Sequence, residues 1–201
     1  MNINCVLFDL DGVLVDACEW HYISLNRALS SVLGFEITRA DHIEKYNGLP
    51  TSVKLKMLGV DPATAKQIEQ LKQSITLSLI QENAKVMQEK IELHSYLKSH
   101  NIKIACVTNS IYTTASTMLR MTGQIDYMDL IVSNEDVSKN KPHPDCYNFA
   151  VEKLGVYPIL CLFVEDSPKG IAAARSSVIP NLWIVENPLD VNLDNYREIV
   201  K

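Results

Sequence analysis

The sequence lacks the features that define several large classes of protein. Its five cysteines are scattered and never form a Cys-x-x-Cys pair, which argues against a zinc site or a disulfide framework and favours a reducing cytoplasm. The longest apolar run, residues 159–164, is far shorter than the roughly 20 residues that a membrane helix needs. No basic segment followed by an apolar one opens the chain, so a secreted protein is not expected.

Charge and composition exclude further classes and indicate a globular protein. The net charge is −5 and no block of basic residues occurs, so nucleic acid is not an expected partner. Apolar residues make up 47% and charged residues 21% of the 201 positions, which is typical of a globular protein with a sizeable core. No repeat and no Gly-rich phosphate loop of the G-x-x-x-x-G-K-[ST] type is present, and nothing indicates an obligate protein partner.

What the sequence does contain is an alternation of short apolar runs and helical patterns. The runs end abruptly in polar residues, as do strands of a parallel sheet that are buried on both faces. Their alternation with helices predicts an α/β fold built on a doubly wound parallel sheet. The expected strands are residues 3–8, 102–107, 130–132, 159–164 and 182–185.

The first apolar run ends in two aspartates. Asp9 and Asp11 follow it directly, and Gly12 then allows a tight turn. Ligands of open α/β sheets bind at the carboxyl ends of the strands, so the first carboxylate can be a nucleophile or a metal ligand and the second can transfer a proton. An Asp-Gly pair also favours a turn for backbone reasons alone. The function of this motif therefore depends on its partners downstream.

Polar groups also follow the next strands. Thr108, Asn109 and Ser110 come after the second strand, where hydroxyls and backbone N–H groups can bind phosphate oxygens. Ser110 is equally suited to capping the helix that follows. Lys141 precedes a proline-rich helix start and can place its ammonium group over the edge of the sheet, although most lysines are simply solvated.

The fourth strand ends in a second pair of carboxylates, Glu165 and Asp166. Because the carboxyl ends of parallel strands meet at one edge of a sheet, we expect this pair to lie beside Asp9 and Asp11. Acids from two strand ends, without His or Cys companions, specify an oxygen-ligated hard cation, and Mg²⁺ is favoured. A hydroxyl and a lysine facing that cation describe a site for a phosphoryl group.

Residues 17–82 contain helical patterns and no strand candidate, so they form a long insertion after the first strand. The α/β core is then expected to comprise residues 1–16 and 83–201. A turn at Gly48 precedes Thr51 and Lys54; it can hold polar donors over a pocket, or it can be a solvated connection between helices. His21 lies in the first helix, where a histidine is more often packed or exposed than functional.

The four motifs, taken in order, resemble those of the haloacid dehalogenase-like hydrolase superfamily. They are Asp9-Leu-Asp11-Gly, Thr108-Asn-Ser, Lys141-Pro and Glu165-Asp166-Ser. The resemblance spans nearly the whole chain. With a helical insertion after the first strand, the chain is most similar to the β-phosphoglucomutase-like phosphatase branch, in which the insertion is a cap that closes over the site and excludes water.

The resemblance implies a role for each matching residue. Asp9 would attack phosphorus and become an aspartyl-phosphate, while Asp11 would protonate the leaving oxygen and then activate water. Thr108 would hold a phosphoryl oxygen, and Lys141 would offset negative charge. The implied Mg²⁺ ligands are Asp9, the backbone carbonyl of Asp11, Asp166, and Glu165 directly or through water. The implied substrate-binding residues are Asn109 and Ser110 in the core and His21, Gly48, Thr51 and Lys54 in the cap.

The implied activity is that of a Mg²⁺-dependent phosphatase acting on a small phosphorylated metabolite, most often a sugar phosphate. A phosphosugar mutase using the same aspartyl-phosphate is the alternative, although Thr51 stands where mutases carry an arginine that grips a second phosphate. Two further alternatives are a binding protein on a degenerate phosphatase fold and a plain nucleotide-binding domain. The complete set of Asp9, Asp11, Thr108, Lys141 and Asp166 argues against the first. The missing Gly-rich loop argues against the second.

Overall fold

The computed structural model describes every residue from Met1 to Lys201. The chain divides into two compact units, one formed by Met1–Asp16 with Lys85–Lys201 and the other by Ala17–Ala84. We refer to the first as the α/β unit and to the second as the helical unit. The boundary predicted at residue 82 falls inside the last turn of a helix that continues to Asn83.

Regular elements occupy most of both units. In chain order they are β1 (Cys5–Phe8), α1 (Cys18–Leu33), α2 (Arg39–Asp41), α3 (Thr51–Met57), α4 (Pro62–Asn83), α5 (Gln88–Ser99), β2 (Lys103–Val107), α6 (Tyr112–Met121), β3 (Leu130–Val132), α7 (Asp145–Leu154), β4 (Cys161–Glu165), α8 (Pro168–Arg175), β5 (Asn181–Ile184) and α9 (Leu193–Val200). No helix combines the length and the apolar composition that crossing a membrane would require.

The α/β unit is built on a five-stranded sheet with the order β3-β2-β1-β4-β5. All neighbouring strands are parallel, so the predicted doubly wound fold is confirmed. The chain moves outward from β1 to β2 and β3, then returns to β4 on the other side of β1. This places the switch point of the topology between β1 and β4, where open α/β sheets bind their ligands.

The bounds of several strands in the α/β unit differ by one or two residues from those predicted. Strand β4 begins at Cys161 and not at residue 159, because Pro158–Leu160 forms a 3-10 turn. The segment after Asn187 also packs into this unit, since α9 buries Tyr196. In addition, the fully buried Lys90 donates hydrogen bonds from Nζ to the carbonyl oxygens of Pro188 and of Val191, the latter at 2.7 Å. The C-terminal segment is therefore part of the core.

The two long helices of the helical unit have well-defined caps. Helix α1 ends at Gly34, whose φ of 72° is left-handed. Helix α4 begins after Asp61, whose side chain accepts a hydrogen bond from the Ala63 N–H at 3.0 Å. Between them lie the short helices α2 and α3, and a π-helical turn, His42–Tyr46, follows α2 directly. The core of this unit is formed by buried residues that include Leu25, Leu29, Ile37, Leu55 and Ile68.

Candidate active site

The candidate active site lies at the carboxyl ends of β1 and β4. The Asp9 N–H donates to the Val164 carbonyl at 3.0 Å, which continues the β1–β4 pairing for one residue beyond the strand. Gly12 follows with a φ of 85°, and a Cβ atom there would collide with the Asp166 carboxylate. Glycine at this position therefore lets the loop after β1 approach the loop after β4.

Three carboxylates meet at this point and form what we call the carboxylate cluster: Asp9, Glu165 and Asp166. One oxygen from each lies within 4.8 Å of the others. Lys141 reaches into the cluster, and its Nζ donates to Asp9 Oδ1 at 2.7 Å, to Glu165 Oε1 at 2.5 Å and to the Val107 carbonyl at 2.8 Å. Asp9, Lys141 and Glu165 are all buried, at 7%, 4% and 0% exposure, so this network is shielded from water.

The charges in the cluster do not balance. Burial and the charge of Glu165 raise the pKa of Asp9 well above its ordinary value, although Lys141 opposes this. Burial and Glu165 likewise raise the pKa of Asp166 to about 6. Burial disfavours the charge of Lys141, but Asp9 and Glu165 outweigh that effect and raise its pKa. One ammonium group thus faces an excess of negative charge, which an additional cation would relieve.

The donor set fits a hard divalent cation. All the candidate ligand atoms are carboxylate oxygens, which Mg²⁺ prefers. Glu165 Oε2 and Asp166 Oδ1 are buried and have no hydrogen-bond partner, a costly state for a carboxylate unless a cation or proton is bound. These residues can therefore hold Mg²⁺.

Asn109 fixes the backbone that carries Lys141. Its Nδ2 donates to the Lys141 carbonyl at 3.1 Å, and its Oδ1 accepts from the Lys141 N–H at 3.0 Å. Asn109 was predicted to bind substrate. The two bonds show a positioning role, because they link the end of β2 to the lysine of the cluster, and substrate binding by Asn109 stays a prediction.

The other predicted residues after β2, Thr108 and Ser110, lie close to the loop that follows β1. The Ser110 N–H donates to Thr108 Oγ1 at 3.0 Å, and Ser110 Oγ donates to Asp11 Oδ2 at 3.2 Å. Thr108 is buried and pairs with β3 through its N–H and the Val132 carbonyl at 2.9 Å. The structure thus brings Asp11, Thr108 and Ser110 together at the same edge of the sheet.

Tyr147 is a member of the site that the sequence analysis did not identify. Its hydroxyl donates to Glu165 Oε1, and its ring lies beneath Lys141, with Nζ 4.9 Å from the ring centroid. Burial and Glu165 raise the pKa of Tyr147 well above its ordinary value, so it remains a donor. The spacing of buried residues on α7, which include Cys146 and Ala150, marks Tyr147 as a core residue but gives no sign of this bond.

Four predicted substrate-binding residues belong to the helical unit. His21 lies on α1, with Nδ1 3.3 Å from Lys72 Nζ. Gly48 occupies the turn before α3 with a φ of 71°, Thr51 is the first residue of α3, and Lys54 is buried on the same helix. Their role in substrate binding stays a prediction.

Comparison with known proteins places this site in a family. The sequence profile of the haloacid dehalogenase-like hydrolase family matches residues 6–184. The chain therefore belongs to this family, and the resemblance predicted from the four motifs is confirmed.

Individual relatives agree with this assignment. The phosphorylated carbohydrates phosphatase of Thermotoga maritima is 29% identical over 196 residues, which cover 94% of this chain and 88% of that protein. Hexitol phosphatase B of Escherichia coli is 26% identical over 212 residues, covering 98% and 95%. The crystal structure of β-phosphoglucomutase from Clostridium difficile superposes with a TM-score of 0.81 at 24% identity, covering 98% and 96%, and supports the fold.

Proposed function

We propose that this protein is a Mg²⁺-dependent phosphatase that hydrolyses a small phosphorylated metabolite, in particular a sugar phosphate. The reaction passes through an aspartyl-phosphate on Asp9. One observation carries the proposal. Three carboxylates from two strand ends, two of them buried and one partly exposed, lie within 4.8 Å of one another beside a buried lysine, an arrangement suited to a cation and a phosphoryl group. The names of the relatives, which include two phosphatases of phosphorylated carbohydrates and hexitols, support the substrate class.

The first chemical step uses Asp9 and Asp11. A carboxylate oxygen of Asp9 forms a bond to phosphorus as the bond from phosphorus to the ester oxygen breaks, and Asp11 gives its proton to that leaving oxygen. Lys141, which is hydrogen-bonded to Asp9, holds the nucleophile and offsets charge. Asp9, Asp166, the Asp11 carbonyl and Glu165, directly or through water, would hold Mg²⁺, and the ion would supply the positive charge that lets a carboxylate approach a phosphate dianion.

The second step regenerates the enzyme. Asp11, now deprotonated, takes a proton from water while the water oxygen attacks phosphorus, and the bond from phosphorus to Asp9 breaks to release phosphate. The hydrogen bond from Ser110 Oγ holds the Asp11 carboxylate during this exchange. Thr108 binds a phosphoryl oxygen in both steps, next to the N–H groups of the following turn.

Phosphate release with and without Mg²⁺ tests the proposal, over a panel of sugar phosphates, nucleotides and p-nitrophenyl phosphate. We expect metal-dependent release from wild type and none from Asp9→Asn, because an amide cannot act as the nucleophile. Asp126→Asn makes the same change on an exposed turn and should leave release unaltered. Retained hydrolysis in Asp9→Asn would refute the aspartyl-phosphate mechanism. Isomerisation of a sugar phosphate that requires a bisphosphate, with no net release, would identify a mutase instead.

A further inference from the structure

A chain of buried hydrogen bonds inside the α/β unit reaches the loop that carries Asp11. It links His94 on α5, Gln124 just after α6, and the backbone carbonyl of Leu14, and all three residues are fully buried. His94 Nε2 lies 3.0 Å from Gln124 Oε1, and Gln124 Nε2 donates to the Leu14 carbonyl at 3.1 Å. Histidine and glutamine are costly to bury unless they are paired. The chemistry proposed above gives neither side chain a task.

The direction of each bond in this chain follows from its neighbours. The Thr122 hydroxyl donates to the Met118 carbonyl at 2.8 Å, so it accepts from Gln124 Nε2 at 2.9 Å. Because a backbone carbonyl can only accept, the NH2 group of Gln124 faces Leu14 and its Oε1 faces His94. His94 must therefore carry a proton on Nε2. Burial lowers the pKa of His94 to about 4 and keeps the ring neutral, and the buried Nδ1, which has no partner, bears no proton.

The loop that receives this bond comprises residues 10–15, and we call it the β1 loop. It folds around the carbonyl of Leu10, which accepts from the N–H groups of Leu14 and Val15, both at 2.9 Å. Asp11 lies inside this turn, and its backbone pairs with that of Val15. These bonds hold the loop together internally. The bond from Gln124 ties the loop to α5 and α6 at a point three residues after Asp11.

We propose that Gln124 is a positioning residue for the reaction, and that its bond to Leu14, oriented by His94, holds the β1 loop so that Asp11 reaches the leaving oxygen. The proposal rests on the proton transfer proposed above for Asp11 and adds the residues that place it. A proton donor must lie within hydrogen-bond reach of the atom it protonates, and a displacement of about 1 Å can lower a rate on the order of 100-fold. Gln124 and His94 act through the backbone and not on the reacting atoms.

Two aryl phosphates with different leaving groups test the proposal. Phenolate is more basic than p-nitrophenolate, so phenyl phosphate depends more on a proton from Asp11. The value of kcat/KM reports the first step, in which the leaving group departs. In Gln124→Met, which keeps a long side chain without an N–H donor, we expect kcat/KM for phenyl phosphate to fall about 10-fold more than for p-nitrophenyl phosphate. An equal fall for both compounds would overturn the proposal.

Three further variants separate positioning from general damage to the core. Thr122→Val removes the other acceptor of Gln124 Nε2 but keeps the bond to Leu14, so the ratio of the two kcat/KM values should not change. His94→Gln retains an N–H donor and should keep the wild-type ratio. His94→Leu has no donor and should shift the ratio in the same direction as Gln124→Met. A shift in Thr122→Val equal to that in Gln124→Met would contradict the specific role of the Leu14 bond.

A double-mutant cycle tests the route through Asp11. If Gln124 acts only by placing Asp11, the double variant Gln124→Met with Asp11→Asn should show the same ratio of kcat/KM values as Asp11→Asn alone, because contributions that pass through one group are not additive. A further shift of the ratio in the double variant would mean that Gln124 acts on the reaction by another route.

Hydrogen exchange examines the β1 loop without any substrate. In Gln124→Met the amide protons of Leu14 and Val15 should exchange about 10-fold faster relative to those of β4, as expected for the loss of one buried hydrogen bond. In Thr122→Val this relative rate should stay at the wild-type value. An unchanged relative rate in Gln124→Met would show that Gln124 does not hold the loop. If wild type hydrolyses neither phosphate but the loop exchanges faster in Gln124→Met, the anchor is supported and only the phosphatase is refuted.

Discussion

The two units bury ionisable groups of opposite kind. In the α/β unit the carboxylate cluster collects acids at the ends of β1 and β4, and Lys141 only partly compensates them. In the helical unit the buried groups are two lysines and a histidine. The first arrangement is suited to a cation, whereas the second unit buries basic groups without a buried carboxylate. The difference teaches that the sign of the buried ionisable groups varies between the two units and cannot be read from the net charge of the chain.

The largest expected effect concerns Asp11. We propose that Asp11 transfers protons, whereas the carboxylate cluster supplies the nucleophile and holds the cation. Asp11→Asn should slow both chemical steps by about 10²–10⁴-fold, because an amide can neither give nor take the proton. Steady-state rates with p-nitrophenyl phosphate across pH provide the measurement. A normal rate in this variant would remove Asp11 from its role as acid and base.

The next effect tests whether Lys141 is the counter-charge of the carboxylate cluster. Lys141→Met leaves Asp9 and Glu165 buried without their cation, so the free energy of unfolding should fall by about 3–5 kcal/mol at neutral pH. Lys98→Met is the control, because Lys98 pairs with Asp129 at the exposed surface, where a pair contributes at most about 1 kcal/mol. Urea titrations of both variants measure the difference. Equal losses would mean that Lys141 has no special electrostatic role.

Acid provides one probe in each unit, since burial lowers the pKa of both His42 and His94 to about 4. In the unfolded chain a histidine titrates near 6.5, so the unfolded state binds more protons between these values and stability decreases as the pH falls from about 6.5 to 4. A full shift corresponds to roughly 3 kcal/mol per histidine. We expect His94→Gln to lose the share of this pH dependence that His94 contributes, while the share of His42 remains, measured by urea titration at several pH values. A slope equal to that of wild type would contradict the lowered pKa.

Metal addition distinguishes the two units directly. At 100 times its Kd, Mg²⁺ should stabilise the wild-type protein by about 2.7 kcal/mol, seen as a rise in Tm that EDTA reverses. Asp166→Asn should lose this response because it removes a ligand, whereas Lys54→Met should keep it. A response that survives in Asp166→Asn would place the cation elsewhere.

The smallest effect concerns the support beneath the carboxylate cluster. Tyr147→Phe removes the hydroxyl that donates to Glu165 and should lower the free energy of unfolding by about 1 kcal/mol, with Mg²⁺ binding weakened but retained. Thermal unfolding and a Mg²⁺ titration measure the two effects. If neither changes, the hydroxyl contributes no net stability and Tyr147 serves only through its ring.

Sequence patterns predicted the sheet and the polar residues at four strand ends, because these features depend on short stretches of sequence. Each strand is a short apolar run that stops at a polar residue, and Leu130–Val132 was predicted with its observed bounds. The start of β4 was missed because Pro158 redirects an apolar segment into a 3-10 turn. In that case the backbone restriction of proline outweighs hydrophobic patterning.

Buried polar residues could not be predicted in the same way. Lys72 lies on α4 among buried positions that include Ile68, Thr76 and Leu79, and by residue type alone it belongs on the solvent face. The same holds for Lys90 and His42. Their burial depends on which elements pack around them, and a bond such as that of Tyr147 to Glu165 joins residues from α7 and β4. Such contacts are properties of the tertiary structure.

The bonds from Lys90 to the carbonyls of Pro188 and Val191 bear on the order in which the chain acquires its structure during synthesis. The partners of this buried lysine leave the ribosome about a hundred residues after it does. Strand β1 likewise waits for β4 before its second edge is paired. The helical unit, by contrast, is one continuous segment. A nascent chain should therefore complete the helical unit first and finish the α/β unit only when its last residues emerge.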